Sequence, residues 1–165
     1  MPDPTPSRRD LELAHKIEAY GGKWGVRVVW EARRAGIPIS LGCALIEKES
    51  AFRNVFGHDP TIYAAAGLVT KGKYLAYKAQ RGTTRMQGVG PCQLTWWATQ
   101  DQADRLGGCW LPKHNIRVGF QTLAGNVRRY GYVTGCARYN GSGPAADAYS
   151  RALRALATSW HHRLV

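Results

Sequence analysis

Only eleven of the 165 residues are acidic, so the carboxylates that could carry chemistry can be sorted one by one. Asp3 sits in a Pro-rich opening, Met1-Pro2-Asp3-Pro4-Thr5-Pro6. Asp10, Glu12, Glu18, Glu31, Asp101, Asp104 and Asp147 fall in helical patterns beside basic or polar neighbours, which reads as a solvated face. Glu47, Glu49 and Asp59 remain. On a wheel at roughly 100° per residue, Leu41, Leu45 and Phe52 make one apolar sector, and Glu49 falls between Leu45 and Ile46. Glu47 lies on the far side with Cys43 and Ala51. A carboxyl rooted beside an apolar stripe loses hydration, which favours its neutral form and raises its pKa. Glu49 is therefore a candidate general acid, a group that must still hold its proton near neutral pH. Lys48 projects near the same stripe and opposes that shift; an ion pair between Glu49 and Arg53 at the helix end is the alternative reading.

Helices must position this acid. Ser7 can cap one in which Leu13, Ile17 and Tyr20 recur at helical spacing before Gly21-Gly22. A second is expected from Trp24 to Ala35, closed by Gly36 and Pro38, and a third from Leu41 to Phe52 with Ser40 as its cap. Residues 53–68 show no sustained period, and Asp59-Pro60 reads as a turn or a short helix start. A weak helix is expected over Lys73–Gln80. Gly82, Gly88, Gly90 and Pro91 among Thr, Val and Leu predict a small hairpin or irregular strand pair in 82–95. Helical pattern resumes over Ala98–Leu106. It is clearest where Ile116, Phe120, Leu123, Val127 and Tyr130 alternate at four and three before Gly131. A last helix opens at Gly143-Pro144, with Tyr149, Leu153 and Leu156 on one face. The expected class is mainly α (α+β): one domain over 7–165 behind a Pro-rich linker remnant at 1–6.

The net charge of +12, from 23 Lys plus Arg against 11 Asp plus Glu, calls for an anionic partner. The basic residues come in ones and twos, as in Arg8-Arg9, Arg33-Arg34 and Arg128-Arg129, which favours a generally positive surface over a nucleic-acid arm. Cys43, Cys92, Cys109 and Cys136 have no metal-pair spacing and no completing His, so no zinc site is expected; buried free thiols are. No apolar run approaches the ~18 residues of a membrane span. An apolar leader ending in small residues is missing too, so export by another factor is expected for any action outside the cytoplasm.

Four short words in order carry a resemblance. Ala44-Leu45-Ile46-Glu47-Lys48-Glu49-Ser50-Ala51-Phe52 resembles the Glu-Ser motif of the lytic transglycosylase and goose-type lysozyme superfamily. Gly90-Pro91-Cys92-Gln93-Leu94 is similar to its Gly-Leu-Met-Gln segment, Asn115-Ile116-Arg117-Val118-Gly119 to the start of its long central helix, and Tyr139-Asn140 to its Tyr-Asn pair. Asn54-Val55-Phe56-Gly57-His58-Asp59-Pro60 and the stretch Gly88–Trp97 resemble the central catalytic module of mycobacteriophage-type endolysins. The chain departs from the pattern at Pro91-Cys92, where Leu-Met is usual, and at Arg138, where Ala is usual. A cation beside Glu49 would lower its pKa, so Arg138 is expected to point away.

The resemblance implies a lysozyme-like fold, a helical bundle around a long central helix with a small β-hairpin lining the cleft. It implies an endolysin-type muramidase that cuts the β-1,4 bond between N-acetylmuramic acid and N-acetylglucosamine in peptidoglycan, with Glu49 as the acid and no cofactor. Asp59 is the candidate second carboxylate, in competition with a role as helix cap before Pro60. His58 reads as a loop hydrogen-bonder. Gln93 is assigned to substrate or water positioning, Tyr139 to a hydrogen bond that orients Glu49, and Asn140 to a turn cap or an acetamido contact. Thr95 is a further water-positioning candidate, and Trp96 and Trp97 could stack on sugar, with one of the pair expected in the core. The implied protein is a monomer that reaches the wall through a holin, without membrane insertion or nucleic-acid binding. The alternatives are a lytic transglycosylase leaving 1,6-anhydro ends, a chitinase, and a non-catalytic basic module binding cell wall or nucleic acid.

Overall fold

Ser7 starts the first helix by a reciprocal cap. Its hydroxyl accepts from Asp10 N–H at 3.1 Å, and the Asp10 carboxylate accepts from Ser7 N–H at 2.9 Å. The computed structural model describes residues 3–57, 65–82 and 86–165, and the elements below belong to those residues. They are α1 (Arg8–Ala19), α2 (Gly25–Ala35), α3 (Ile39–Ser50), α4 (Lys71–Ala79), α5 (Trp97–Leu106), α6 (Pro112–Tyr130), α7 (Tyr132–Asn140) and α8 (Pro144–Leu164). The protein is mainly helical, as the patterns predict. Helix α3 begins before the expected Ser40 cap: Pro38 is the N-cap, and its carbonyl accepts from Leu41 and Gly42.

Helix α7 is the element that the sequence hides. It follows α6 across the single residue Gly131, and Gly135 sits where a breaker would be read. The reason for Gly135 is contact: a Cβ there would lie 2.5 Å from Val127 Cα, so only a glycine lets α7 fold back onto α6.

Helix α3 is the most enclosed. Leu41, Gly42, Cys43, Ala44, Leu45 and Ile46 are all buried, against α8 along most of its length and against α2. Trp160 of α8 is buried there and meets Phe52 at 5.8 Å between ring centroids. Helix α6 packs on α7, α2 and α5. All four cysteines are buried free thiols.

Two acids expected on solvated faces are not. Glu31 is 1% exposed and clasps α2 to α6: Arg117 Nε and a terminal Arg117 nitrogen each donate to it at 3.1 Å, with Arg27 and Arg34 adding further bonds. Asp10 is buried under its bond from Arg33. Both sit beside basic residues as the pattern said. Those partners come from other helices or other turns, and together they close over the carboxylate instead of leaving it in water.

The β element consists, among the described residues, of isolated antiparallel bridges: Val55 with Leu68, Phe56 with Val89, and Val89 with Leu94. Gly57 N–H donates to Gly88 O and Gly90 N–H to Val55 O, both at 2.9 Å, which ties the segment after α3 to the turn at 89–94. No helix among the described residues is long and apolar enough to cross a membrane.

Candidate active site

Glu49 projects from the last turn of α3. The chain then leaves the helix through two consecutive left-handed residues, Ala51 (φ 52°) and Phe52 (φ 57°), an arrangement that costs L-residues energy and concentrates at functional sites. Buried Phe52, packed on Trp160, holds the bend. The sharp exit opens a pocket of about 180 Å³ lined by Glu49 with Lys48, Arg53, Val55, Phe56 and Gln93 among its walls.

The Glu49 carboxylate accepts a short hydrogen bond from the Tyr149 hydroxyl of α8. Burial pushes its pKa above the ordinary carboxylate value, while the Tyr149 bond and the Lys48 charge pull the other way. Tyr149 itself is raised by burial and by the negative charge of Glu49, so it stays a donor. The expected Tyr139 contact is thus replaced. Tyr139 donates to Cys92 O at 2.7 Å, and Tyr149 takes the acid. No ion pair joins Glu49 to Arg53, whose Nε donates to Ser50 O at 3.1 Å. Arg138 stacks on Tyr130 at 5.0 Å and is exposed, pointing away as expected.

The four sequence words meet at the turn 89–94. Ser50 Oγ, one residue after the acid, donates to Pro91 O at 2.8 Å. Asn115 of α6 is fully buried: its Oδ1 accepts from Cys92 N–H at 2.9 Å and its Nδ2 donates to Val89 O at 2.8 Å. Tyr139 of α7 closes the third side through Cys92 O. Gly119 makes room, because a Cβ there would fall 2.4 Å from Cys92 Cβ. Gln100 supports the turn from α5, donating to Gln87 O and Leu94 O at 2.9 Å each. The words therefore mark one knot of buried hydrogen bonds, and each polar group left unpaired there would cost free energy.

Gln93 is in the left-handed region (φ 49°), and its Nε2 donates to Val55 O at 2.9 Å and to Gly90 O at 3.0 Å. Its side chain braces the turn, and it also borders two pockets at once. The second pocket, about 210 Å³, is lined by Gln93, Thr95, Trp96, Tyr139 and Asn140 together with Met86, Thr99 and Thr122. Gln93, Thr95, Trp96, Tyr139 and Asn140 thus share one wall, and Gln93 also lines the Glu49 pocket. Thr95 Oγ1 donates to Gln93 O at 3.1 Å. Trp96 is 66% exposed and Trp97 39%, so neither is in the core as one was expected to be; Arg81 covers Trp97 from 5.7 Å. Helix α5 begins at Trp97 and its inner face is filled by Gln100 and Ala103, which leaves both indoles outside.

Asp59 and His58 lie outside the described residues. Glu47, the other carboxylate at the Glu49 pocket, accepts from Trp160 Nε1 at 2.5 Å and lies 3.9 Å from Arg163. No group of three or more His, Cys, Asp or Glu side chains among the described residues could hold a metal ion.

No protein-family model matches this chain, and no curated protein matches it.

Tyr149 and Asn115 are the residues that sequence reasoning missed. Tyr149 lies at helical spacing with Leu153, so its pattern is that of a core face. Asn115 stood inside a recognised word at the head of an apolar helix, where a polar residue next to Ile116 was the available signal.

Proposed function

We propose that this protein is a peptidoglycan muramidase of the endolysin kind, with a lysozyme-like arrangement around Glu49. The observation that carries the reading is a part-buried carboxyl with a raised pKa, fixed by a tyrosine. It stands beside a pocket whose lining holds an exposed Trp, a Thr, an Asn and a Gln.

In this reading Glu49 donates its proton to the glycosidic oxygen as positive charge builds at the anomeric carbon, a contribution of ~10²–10⁴ in rate. An inverting hydrolase then needs a second carboxylate ~6.5–9.5 Å away to activate water, the role proposed for Asp59. Trp96 offers an exposed face for sugar stacking, and Asn140 and Thr95 offer hydrogen bonds at the pocket wall. The partner is the wall's glycan strand, bound by a monomer that needs no cofactor.

Lytic transglycosylation is the second reading. Glu47, the other carboxylate at the pocket, is engaged by Trp160 and Arg163, so among the described residues none is free to activate water beside Glu49. In that case the muramic 6-hydroxyl attacks the anomeric carbon, its proton passes to the Glu49 carboxylate, and a 1,6-anhydro end forms.

Glu49→Gln tests the shared claim: lysis of purified walls should fall by at least about 10² with an unchanged circular dichroism spectrum, and full activity in that variant would end the proposal. Mass spectrometry of the digest separates the two readings. Reducing muramic ends identify the hydrolase, ends lighter by one water the transglycosylase. Asp59→Asn should abolish turnover only in the first case.

A further inference from the structure

The Glu49 pocket carries two cations that its acid chemistry does not use. Lys48 and Arg53 both line it, both are exposed, and neither forms an ion pair with an acid among the described residues. Lys48 holds its ammonium 5.4 Å from the centre of the Tyr149 ring, the same ring whose hydroxyl bonds Glu49. Arg53 is tethered through Nε to Ser50 O, so its outer guanidinium nitrogens stay available at the rim. Positive charge here opposes the acid, since Lys48 stabilises ionised Glu49. Two unpaired cations beside a group that must stay protonated make chemical sense when an incoming anion neutralises them.

We infer that Lys48 and Arg53 form a carboxylate-recognition pair that selects acidic glycan over neutral glycan at the Glu49 pocket. The inference rests on the glycan-cleaving reading above and names its substrate class. The ligand chemistry is a carboxylate next to the scissile bond, supplied either by the lactyl ether of a bare muramic acid or by an acidic peptide attached to it. Charge-assisted bonds from an ammonium and a guanidinium would hold it. Its arrival would also cancel the field that draws the proton off Glu49, so binding and protonation of the acid reinforce each other.

The test compares three soluble substrates: peptide-bearing glycan strands, strands stripped of peptide by an amidase so that only lactyl carboxylates remain, and neutral N-acetylglucosamine oligomers. Lys48→Gln and Arg53→Gln should each lower the ratio of kcat/KM for charged over neutral substrate by roughly two- to fivefold, the scale of a solvent-exposed charge pair. Lys48→Arg and Arg53→Lys should retain the ratio, and salt should compress it in the parent protein. A fall confined to the stripped strands assigns the lactyl carboxylate, which is an amide in peptide-bearing strands; a fall confined to peptide-bearing strands assigns the peptide, and a fall on both assigns the pair to either carboxylate source. An unaltered ratio in the double glutamine variant, or an equal loss on all three substrates, overturns the inference. Binding of the same strands to the Glu49→Gln protein, with and without the two glutamine substitutions, gives an independent readout. If the parent protein cleaves nothing, the glycosidase reading fails, while an unchanged charged-over-neutral binding ratio separately defeats the recognition pair.

Discussion

At the scale of single residues, the Tyr149–Glu49 bond is the contact with the most direct chemical consequence. Tyr149→Phe removes a donor that stabilises the ionised acid, so the Glu49 pKa rises further and the alkaline limb of the kcat/KM profile moves to higher pH. The carboxyl also loses its tether, and turnover at the optimum should drop roughly fivefold, the kinetic equivalent of one hydrogen bond at ~1 kcal/mol. A pH profile with both features supports an orienting role; a lower activity with an unmoved limb contradicts it. The same group sets a stability signature. A carboxyl whose folded pKa is raised favours folding below its unfolded value of about 4.3 and loses that contribution as pH rises through the folded value. Thermal midpoints of Glu49→Gln and the parent should therefore coincide near about pH 4 and separate at pH 8, with the glutamine variant the more stable.

At the scale of elements, the 89–94 turn is held by side chains from α3, α6 and α7, and it is more fragile than its length implies. Asn115→Ala would leave the Cys92 N–H buried without that partner, while the Val89 carbonyl keeps its bond from Leu94 N–H, at a cost on the order of 1–3 kcal/mol. Chemical denaturation should show the midpoint falling with little change in slope. Helix ends with a chemical stop or start, such as Ser7, Gly36 and Gly143-Pro144, were readable from sequence to within a residue or two, as were the long apolar repeats of α6 and α8. Helix α7 was not, because the glycine that lets it touch Val127 is also the residue that argues against a helix. In the site, the words around Glu49, Gln93 and Tyr139 could be found in sequence, but their mutual hydrogen bonds could not. Tyr139 and Tyr149 are ten residues apart on different helices, and only packing decides which of them reaches the acid. Trp96 and Trp97 went astray for a related reason: apolar type predicts burial on average, whereas the inner face of α5 was already occupied.

At the scale of the whole molecule, charge and thiols give two global readouts. With +12 net charge and several unpaired cations, association with anionic walls should weaken steadily as sodium chloride rises, at unchanged fold, in a sedimentation assay. The four cysteines are buried, and burial pushes the Cys109 thiol up to about 12 and Cys136 to about 11. A thiol reagent at pH 8 should thus leave the native protein untouched and titrate all four once it is unfolded in guanidinium.

The tyrosine that grips Glu49 stands 100 residues further along the chain, on the helix that also covers α3 with Trp160. During synthesis the acid therefore emerges long before its partner. A nascent chain that has reached only α7 contains the residues of the 89–94 turn but neither Tyr149 nor the apolar wall of α8. In the proposed reading, competence waits on α8: Glu49 gains the hydroxyl and the apolar wall that set its proton affinity only once that helix has been made and has docked.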